Sequence, residues 1–191
     1  MTAAVRRYTF DEYRHVCLFN ERGGIKHEFF DGMIYAMTGA SPEHSALAAR
    51  IISLLSQHIR GPCRIYTSDL GIHTPDEELA AYPDASVICG EPELTTMRPR
   101  AALNPTLLVE VLSESTEDFD RGDKLRSFKK IPSLRAVLLV SQWEKEILVV
   151  LRTPRGWNEL TLLYGDKYTL ECLAFVVDVD QVYEGMKLAR R

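Results

Sequence analysis

A chain of 191 residues, 46% hydrophobic and 26% charged, has the ordinary balance of a globular protein. It is long enough to bury roughly 70% of its unfolded surface in one domain, 1–191. Its formal net charge of −4 excludes a global attraction to nucleic acid, so a polyanionic partner has to be held by a local basic patch or a bound cation.

Thr9-Phe10-Asp11-Glu12 reads as a capping box that opens a helix ending before Gly23-Gly24. Asp31-Gly32, set between two apolar-rich runs in IKHEFFDGMIYAM, signals a two-residue hairpin. Ser41-Pro42-Glu43 supplies an N-cap, a proline at the first helical position and an acidic first turn. Leu47, Ile51, Leu54, Leu55 and Ile59 then repeat at helical spacing until Gly61-Pro62 stops the helix. Strands follow at about 64–72, 84–89, 106–112, 135–141 and 145–151, with a helix at about 119–130. Gln142 to Lys145 makes a tight turn, 157–163 and 168–177 add edge strands, and a helix at 179–188 closes the pattern. The fold class is α/β, a mixed sheet flanked by helices.

No stretch approaches ~18 consecutive apolar residues, and the opening MTAAVRRYTFDEY has no apolar h-region. No membrane span and no signal peptide are therefore expected, and the expected location is the cytoplasm. Cys17, Cys63, Cys89 and Cys172 form no C-x-x-C pair, which suits free thiols in a reducing compartment better than a zinc site or a disulfide scaffold.

Glu110 is the anomaly. It sits inside LLVEVLSEST, between Leu107-Leu108-Val109 and Val111-Leu112, in a strand that reads as buried on both faces. A carboxylate there loses hydration at a cost of several kcal/mol unless something compensates it, either an ion-pair partner or a bound cation. Asp84, after Pro83, is a turn residue or a second carboxylate for the same cation. An Asp and a Glu with open water positions suit Mg²⁺ or Mn²⁺. Glu28 lies beside Lys26 and His27 near the first hairpin and, read alone, faces water. Asp120 and Lys124, four apart on a helix, form a solvated pair by the same plain reading. Lys124, Arg126, Lys129 and Lys130 make the densest basic cluster, a solvated face or a phosphate contact. His44, near a helix start, reads as a packing or capping histidine. No phosphate loop, dinucleotide fingerprint, G-x-S-x-G or H-E-x-x-H occurs, and H-E-F-F-D is not the last of these.

In order, HEFFDGMIYAMTGASPEH, YPDASVI, LLVEVLSEST and DRGDK resemble the PD-(D/E)xK nuclease superfamily, and more closely its Uma-type restriction-endonuclease family, over about residues 8 to 151. The resemblance implies a restriction-endonuclease-like mixed β-sheet flanked by helices, with an N-terminal helix and a β-hairpin. It further implies Mg²⁺ or Mn²⁺ held by Asp84, Glu110 and the Val111 carbonyl, and hydrolysis of phosphodiester bonds in DNA. Lys124 would position the attacking water, and Glu28 would help to hold a second ion or that water. A homodimer is expected, since cutting both strands calls for two sites. The pattern departs from the superfamily at Leu112, where its lysine belongs, and Asp120-x-x-x-Lys124 stands in for it. Two rival readings keep the same residues: a nuclease-like fold that binds nucleic acid or protein without cleavage, and a structural Glu110 paired with Lys124 or Arg135. The cleavage reading expects Asp84 and Glu110 to converge at adjacent strand ends and Lys124 to point back at Glu110.

Overall fold

The computed structural model describes residues 6–20, 24–96 and 98–190. Thr9 caps helix α1 (Phe10–Asn20) reciprocally: Glu12 N donates to Thr9 Oγ1 at 3.1 Å and Thr9 N donates to Glu12 Oε2 at 2.8 Å. Of the glycine pair expected beyond its end, Gly23 lies outside the described residues. Strands β1 (His27–Phe30) and β2 (Met33–Ala36) pair antiparallel around Asp31 and Gly32, whose φ values of 43° and 82° are those a two-residue hairpin turn demands. Helix α2 (Pro42–His58) begins as expected, with Ser41 Oγ accepting from His44 N at 3.1 Å.

The run expected as one strand over 64–72 divides. Its first part is β3 (Cys63–Thr67) and its second is β4 (Gly71–His73), with a turn closed by Leu70 N donating to the Thr67 carbonyl. The turn, at the polar triplet Thr67-Ser68-Asp69, carries the chain from one sheet to another. The next strands are β5 (Leu79–Ala81), β6 (Ala85–Cys89), β7 (Ala101–Ala102) and β8 (Leu107–Val111). A helical run, α3, follows in three contiguous pieces: an α-turn Glu117–Phe119, a π-turn Asp120–Lys124 and an α-turn Leu125–Phe128. Beyond it come β9 (Ala136–Val140), β10 (Glu146–Thr153), β11 (Gly156–Leu163), β12 (Lys167–Leu170), β13 (Phe175–Asp178) and the short α4 (Val179–Tyr183), which ends before the expected residue 188.

Two mixed sheets carry the fold where one was expected. Six strands run in the order β11-β10-β9-β8-β6-β3 and five in the order β2-β1-β5-β4-β7, while β12 and β13 pair only with each other instead of extending an edge. β8 and β9 are parallel, with α3 as their crossover. Alternation along β8 then divides its side chains. Leu107, Val109 and Val111 join Leu47, Ile51, Leu54 and Leu55 of α2 in one core. Leu108 and Leu112 face the other way and join Leu125 and Phe128 of α3 and Ile72 and Leu79 of the five-stranded sheet in a second core. α1 seals the outer face of the five-stranded sheet through Tyr13 and Cys17 against Phe29 and Ala80.

Cys63 and Cys89, expected as free thiols, are disulfide-bonded, with Cα atoms 3.8 Å apart. The antiparallel register of β3 and β6 sets them opposite each other, which spacing along the chain does not disclose. Cys17 is free and buried, and Cys172 is free and exposed. No helix among the described residues is long and apolar enough to cross a membrane.

Candidate active site

Glu110 alternates with Leu108 and Leu112, so its side chain emerges on the α3 face of the six-stranded sheet, one residue from the C-terminal end of β8. β6 and β8 are antiparallel with Ala85 opposite Val109. One more step along that register sets Asp84 opposite Glu110, on the same face of the sheet. Asp84 Oδ2 accepts a hydrogen bond of 2.7 Å from Val111 N, which ties it to the strand carrying Glu110. Both carboxylates line a cavity of about 1460 Å³, together with Glu28, His44, Asp120 and Lys124. Asp84 and Glu110 thus stand at neighbouring strand ends on one face of the sheet.

Lys124 points inward, as expected. Its Nζ lies 2.9 Å from Glu110 Oε1, 3.3 Å from Asp120 Oδ1 and 3.4 Å from Glu28 Oε1. Lys124, and not Arg135, is therefore the ion-pair partner of Glu110. The pair read from sequence as solvated is buried: Asp120 and Lys124 are each 4% exposed and Glu110 is 5% exposed. The cause is the docking of α3, whose π-turn presents both Asp120 and Lys124 to the interior. Glu28 does not simply face water either. It is half-buried, and Tyr82 N donates to its Oε1 at 2.9 Å. Asp120 Oδ2 accepts from Thr116 Oγ1 at 2.6 Å, and Thr116 in turn lies 2.7 Å from Ser113 Oγ.

The electrostatics follow from crowding. Burial raises the Glu110 carboxyl well above its usual range; Lys124 pulls it down, and Asp120, Asp84 and Glu28 push it further up. Burial acts to depress the Lys124 ammonium, but Glu110, Glu28 and Asp120 overcome this and hold it well above the ordinary lysine value. Glu110 Oε1 and Asp120 Oδ1 are buried and meet no hydrogen-bond partner of proper geometry; each faces the ammonium instead.

His44, read from sequence as a packing or capping residue, belongs to the same cluster. It occupies the first turn of α2, and its Nε2 lies 3.3 Å from Asp84 Oδ2. Burial lowers its imidazole pKa, yet Asp84, the Val111 backbone and Asp120 outweigh that and raise it. The mount is a chain of bonds: Ser41 Oγ accepts from His44 N and donates to Gln142 Oε1 at 2.9 Å, and Gln142 Nε2 donates to the Leu112 carbonyl at 2.9 Å. The N-cap signal at Ser41 located the helix start but held nothing about which strand it would meet. The remaining basic cluster is engaged within the chain. Arg126 pairs with Asp123, Lys129 with Glu159, and Lys130 with Asp76 and Glu78.

Among the described residues, no three His, Cys, Asp or Glu side chains are so placed as to hold one metal ion. The donor chemistry nevertheless suits a hard divalent cation. Three carboxylates, those of Glu28, Glu110 and Asp120, gather around the Lys124 ammonium, and a fourth, Asp84, adds its charge to the field on Glu110.

The comparisons agree with this architecture. The uncharacterized protein slr1290 of Synechocystis sp. is 37% identical over 170 residues, 88% of this chain and 88% of its own. A second uncharacterized Synechocystis protein, sll1609, is 36% identical over 124 residues, 64% of this chain and 70% of its own. A crystal structure described as "a putative nuclease belonging to DUF820", from Anabaena variabilis ATCC 29413, superposes with a TM-score of 0.68 at 13% identity. The match covers 84% of this chain and 91% of that one, and marks a shared fold. Residues 10–180 match the Uma2 family model, which carries the description "Putative restriction endonuclease". From Phe10 through the acidic cluster to α4, the chain belongs to the Uma2 family.

Proposed function

We propose that this chain is a divalent-metal-dependent phosphodiesterase that cleaves DNA. The observation that carries the reading is the buried meeting of Glu110 and Lys124 beside Asp84, inside a large open cavity. Purely structural ion pairs have no need of a cavity or of surplus carboxylates. Asp84, Glu110 and the Val111 carbonyl would hold Mg²⁺ or Mn²⁺, which when bound neutralises phosphate charge and acidifies a water. Lys124 supplies a compact positive charge where the phosphate gains negative charge, and Glu28 and Asp120 keep that ammonium charged and oriented. At the cavity wall, Tyr35, Phe119 and Trp143 offer rings for base stacking, and Lys187 and Arg190 offer charges for phosphates. Cutting both strands would use two copies, so a homodimer on its substrate is part of the reading.

The test is cleavage of plasmid DNA in millimolar Mg²⁺ or Mn²⁺, with RNA in parallel, comparing wild type and Glu110→Ala. Cleavage by the wild type alone supports the reading; no metal-dependent cleavage by either protein defeats it. One observation favours a second reading, a non-cleaving fold with a structural Glu110: the carboxylate already has an ammonium 2.9 Å away. Thermal melts separate the two. Metal binding stabilises the native state, so the metal reading requires Tm to rise with Mg²⁺ or Mn²⁺ in wild type and not in Glu110→Gln.

A further inference from the structure

We infer that the DNA enters the site as an unpaired strand, with one of its bases stacked on Tyr35 beside the acidic cluster. The inference rests on the phosphodiesterase reading above and narrows its substrate: each site takes one strand. Tyr35 stands directly opposite Glu28 in the β1–β2 pair, so the two side chains share a face of the sheet. Glu28 in turn faces the Lys124 ammonium at 3.4 Å. The Tyr35 side chain is 47% exposed and lies on the cavity wall. Against it sits Phe119, with ring centroids 6.3 Å apart and a tilt of 35°, and Phe30 backs Phe119 at 5.1 Å. Phe30 and Phe119 both pack on the second core, so the exposed ring has a fixed base. Phe119 immediately precedes Asp120, and the ring platform therefore adjoins the cluster from α3 as well as from β1.

Electrostatics argue against a duplex. Among the described residues, six acidic side chains line the cavity against four of Lys and Arg. Of those four, Lys26 pairs with Asp69 and Lys124 is buried among carboxylates, which leaves Lys187 and Arg190 exposed on the wall. A duplex is held chiefly by neutralising its phosphates, and a site that makes few such contacts grips it weakly. It also hides its base faces in its own stack. An unpaired strand offers those faces, and each base stacked on an aromatic ring gains roughly 5- to 100-fold in affinity. The two wall charges suffice to guide a single backbone, and their segment is fixed in place. Ala189 N, between them, donates to the Gln142 carbonyl at 2.8 Å, and Met186 and Leu188 pack on the first core. Supercoiled plasmid, which opens locally, remains a substrate.

The experiment titrates the full chain into a labelled oligothymidylate and a labelled hairpin duplex of equal length, in Ca²⁺, and reads fluorescence anisotropy. Cleavage of both is then scored in Mn²⁺. Wild type should bind the single strand at least ~10-fold more tightly than the duplex. Tyr35→Ala should lose ~5-fold or more of the single-strand affinity, and Tyr35→Phe, which keeps the ring, should retain it. Lys187→Gln combined with Arg190→Gln should weaken binding of both and flatten its dependence on salt. Circular dichroism establishes that the variants are folded, and the wild-type preference is diagnostic without them. A duplex bound as tightly as the single strand, or Tyr35→Ala binding like wild type, overturns the inference; duplex cleavage in that case leaves the phosphodiesterase reading standing. Tyr35-dependent binding of the single strand with no cleavage in Mn²⁺ does the reverse. A wild type that neither binds nor cuts either probe overturns both.

Discussion

Replacing Lys124 by Met keeps the bulk of the buried stem and removes the one charge that three carboxylates share. At an effective dielectric of ~20, unit charges separated by the observed 2.9, 3.3 and 3.4 Å attract by roughly 5 to 6 kcal/mol each. Desolvation of the same groups cancels most of that. What remains is the cost of leaving buried charge uncompensated, about 3–5 kcal/mol, which for a chain of this length lowers Tm by roughly 10 °C. Glu110→Gln should behave differently. It removes one attraction together with one buried charge, and Glu28 and Asp120 still face the ammonium, so its stability without metal should stay within about 1 kcal/mol of wild type or exceed it. The pH dependence has a definite sign. The folded pKa of Glu110 lies above its usual 4.5, so its contribution to stability is full below about that pH and is lost as pH rises through the folded value. Without Lys124 the folded value climbs further, and the deficit of Lys124→Met should shrink as pH falls from 7 to 5. Urea denaturation in EDTA at both pH values measures this. Equal melting of Lys124→Met and wild type, or a loss in Glu110→Gln as large as that in Lys124→Met, would refute the electrostatic account.

Burial, aided by Arg14, pushes His73 down to about 4 from 6.5, so it stabilises the fold fully above 6.5 and loses that contribution as pH falls toward 4. This is worth about 3 kcal/mol, and His73→Leu should flatten the fall in urea midpoint between pH 7 and 4.5. Ser41→Ala removes both the cap on α2 and the link to Gln142; a loss of about 1–2 kcal/mol in urea denaturation is expected. Thiol titration of the denatured, unreduced protein should find two free cysteines where the sequence has four.

What could be read in advance was whatever the local pattern encodes. Ser41, Thr9 and the Asp31-Gly32 pair each carry their turn or cap chemistry in their own atoms, and the structure has them there. Glu110 was conspicuous because five apolar neighbours condemned it to burial. The rest depends on register and docking. Cys63 and Cys89 meet only because two strands pair in one alignment out of several. The stretch from Cys63 to His73 breaks at Thr67-Ser68-Asp69, a polar triplet whose turn marks where the chain leaves one sheet for the other. Nothing within DRGDK announces a π-turn, and Asp120 with Lys124 looks like any exposed pair until α3 is laid against the sheet. His44 and Glu28 reach the cluster from α2 and β1, elements whose sequences name no partner.

A lysine two residues from its glutamate on one strand would be held there by the pleat itself. Here the ammonium and Glu110 belong to separate elements, and the hold between them is the packing of Leu125 and Phe128 on Leu108 and Leu112. Their proximity is therefore an equilibrium property with its own opening free energy, which is expected to lie below that of the six-stranded sheet. Amide hydrogen exchange resolved by segment is the natural gauge. α3 should exchange through partial openings that leave β8 and β9 protected. Each such opening separates Lys124 from Glu110 while the sheet stays intact, so substitutions that loosen Leu125 or Phe128 should silence the site at temperatures well below the unfolding transition.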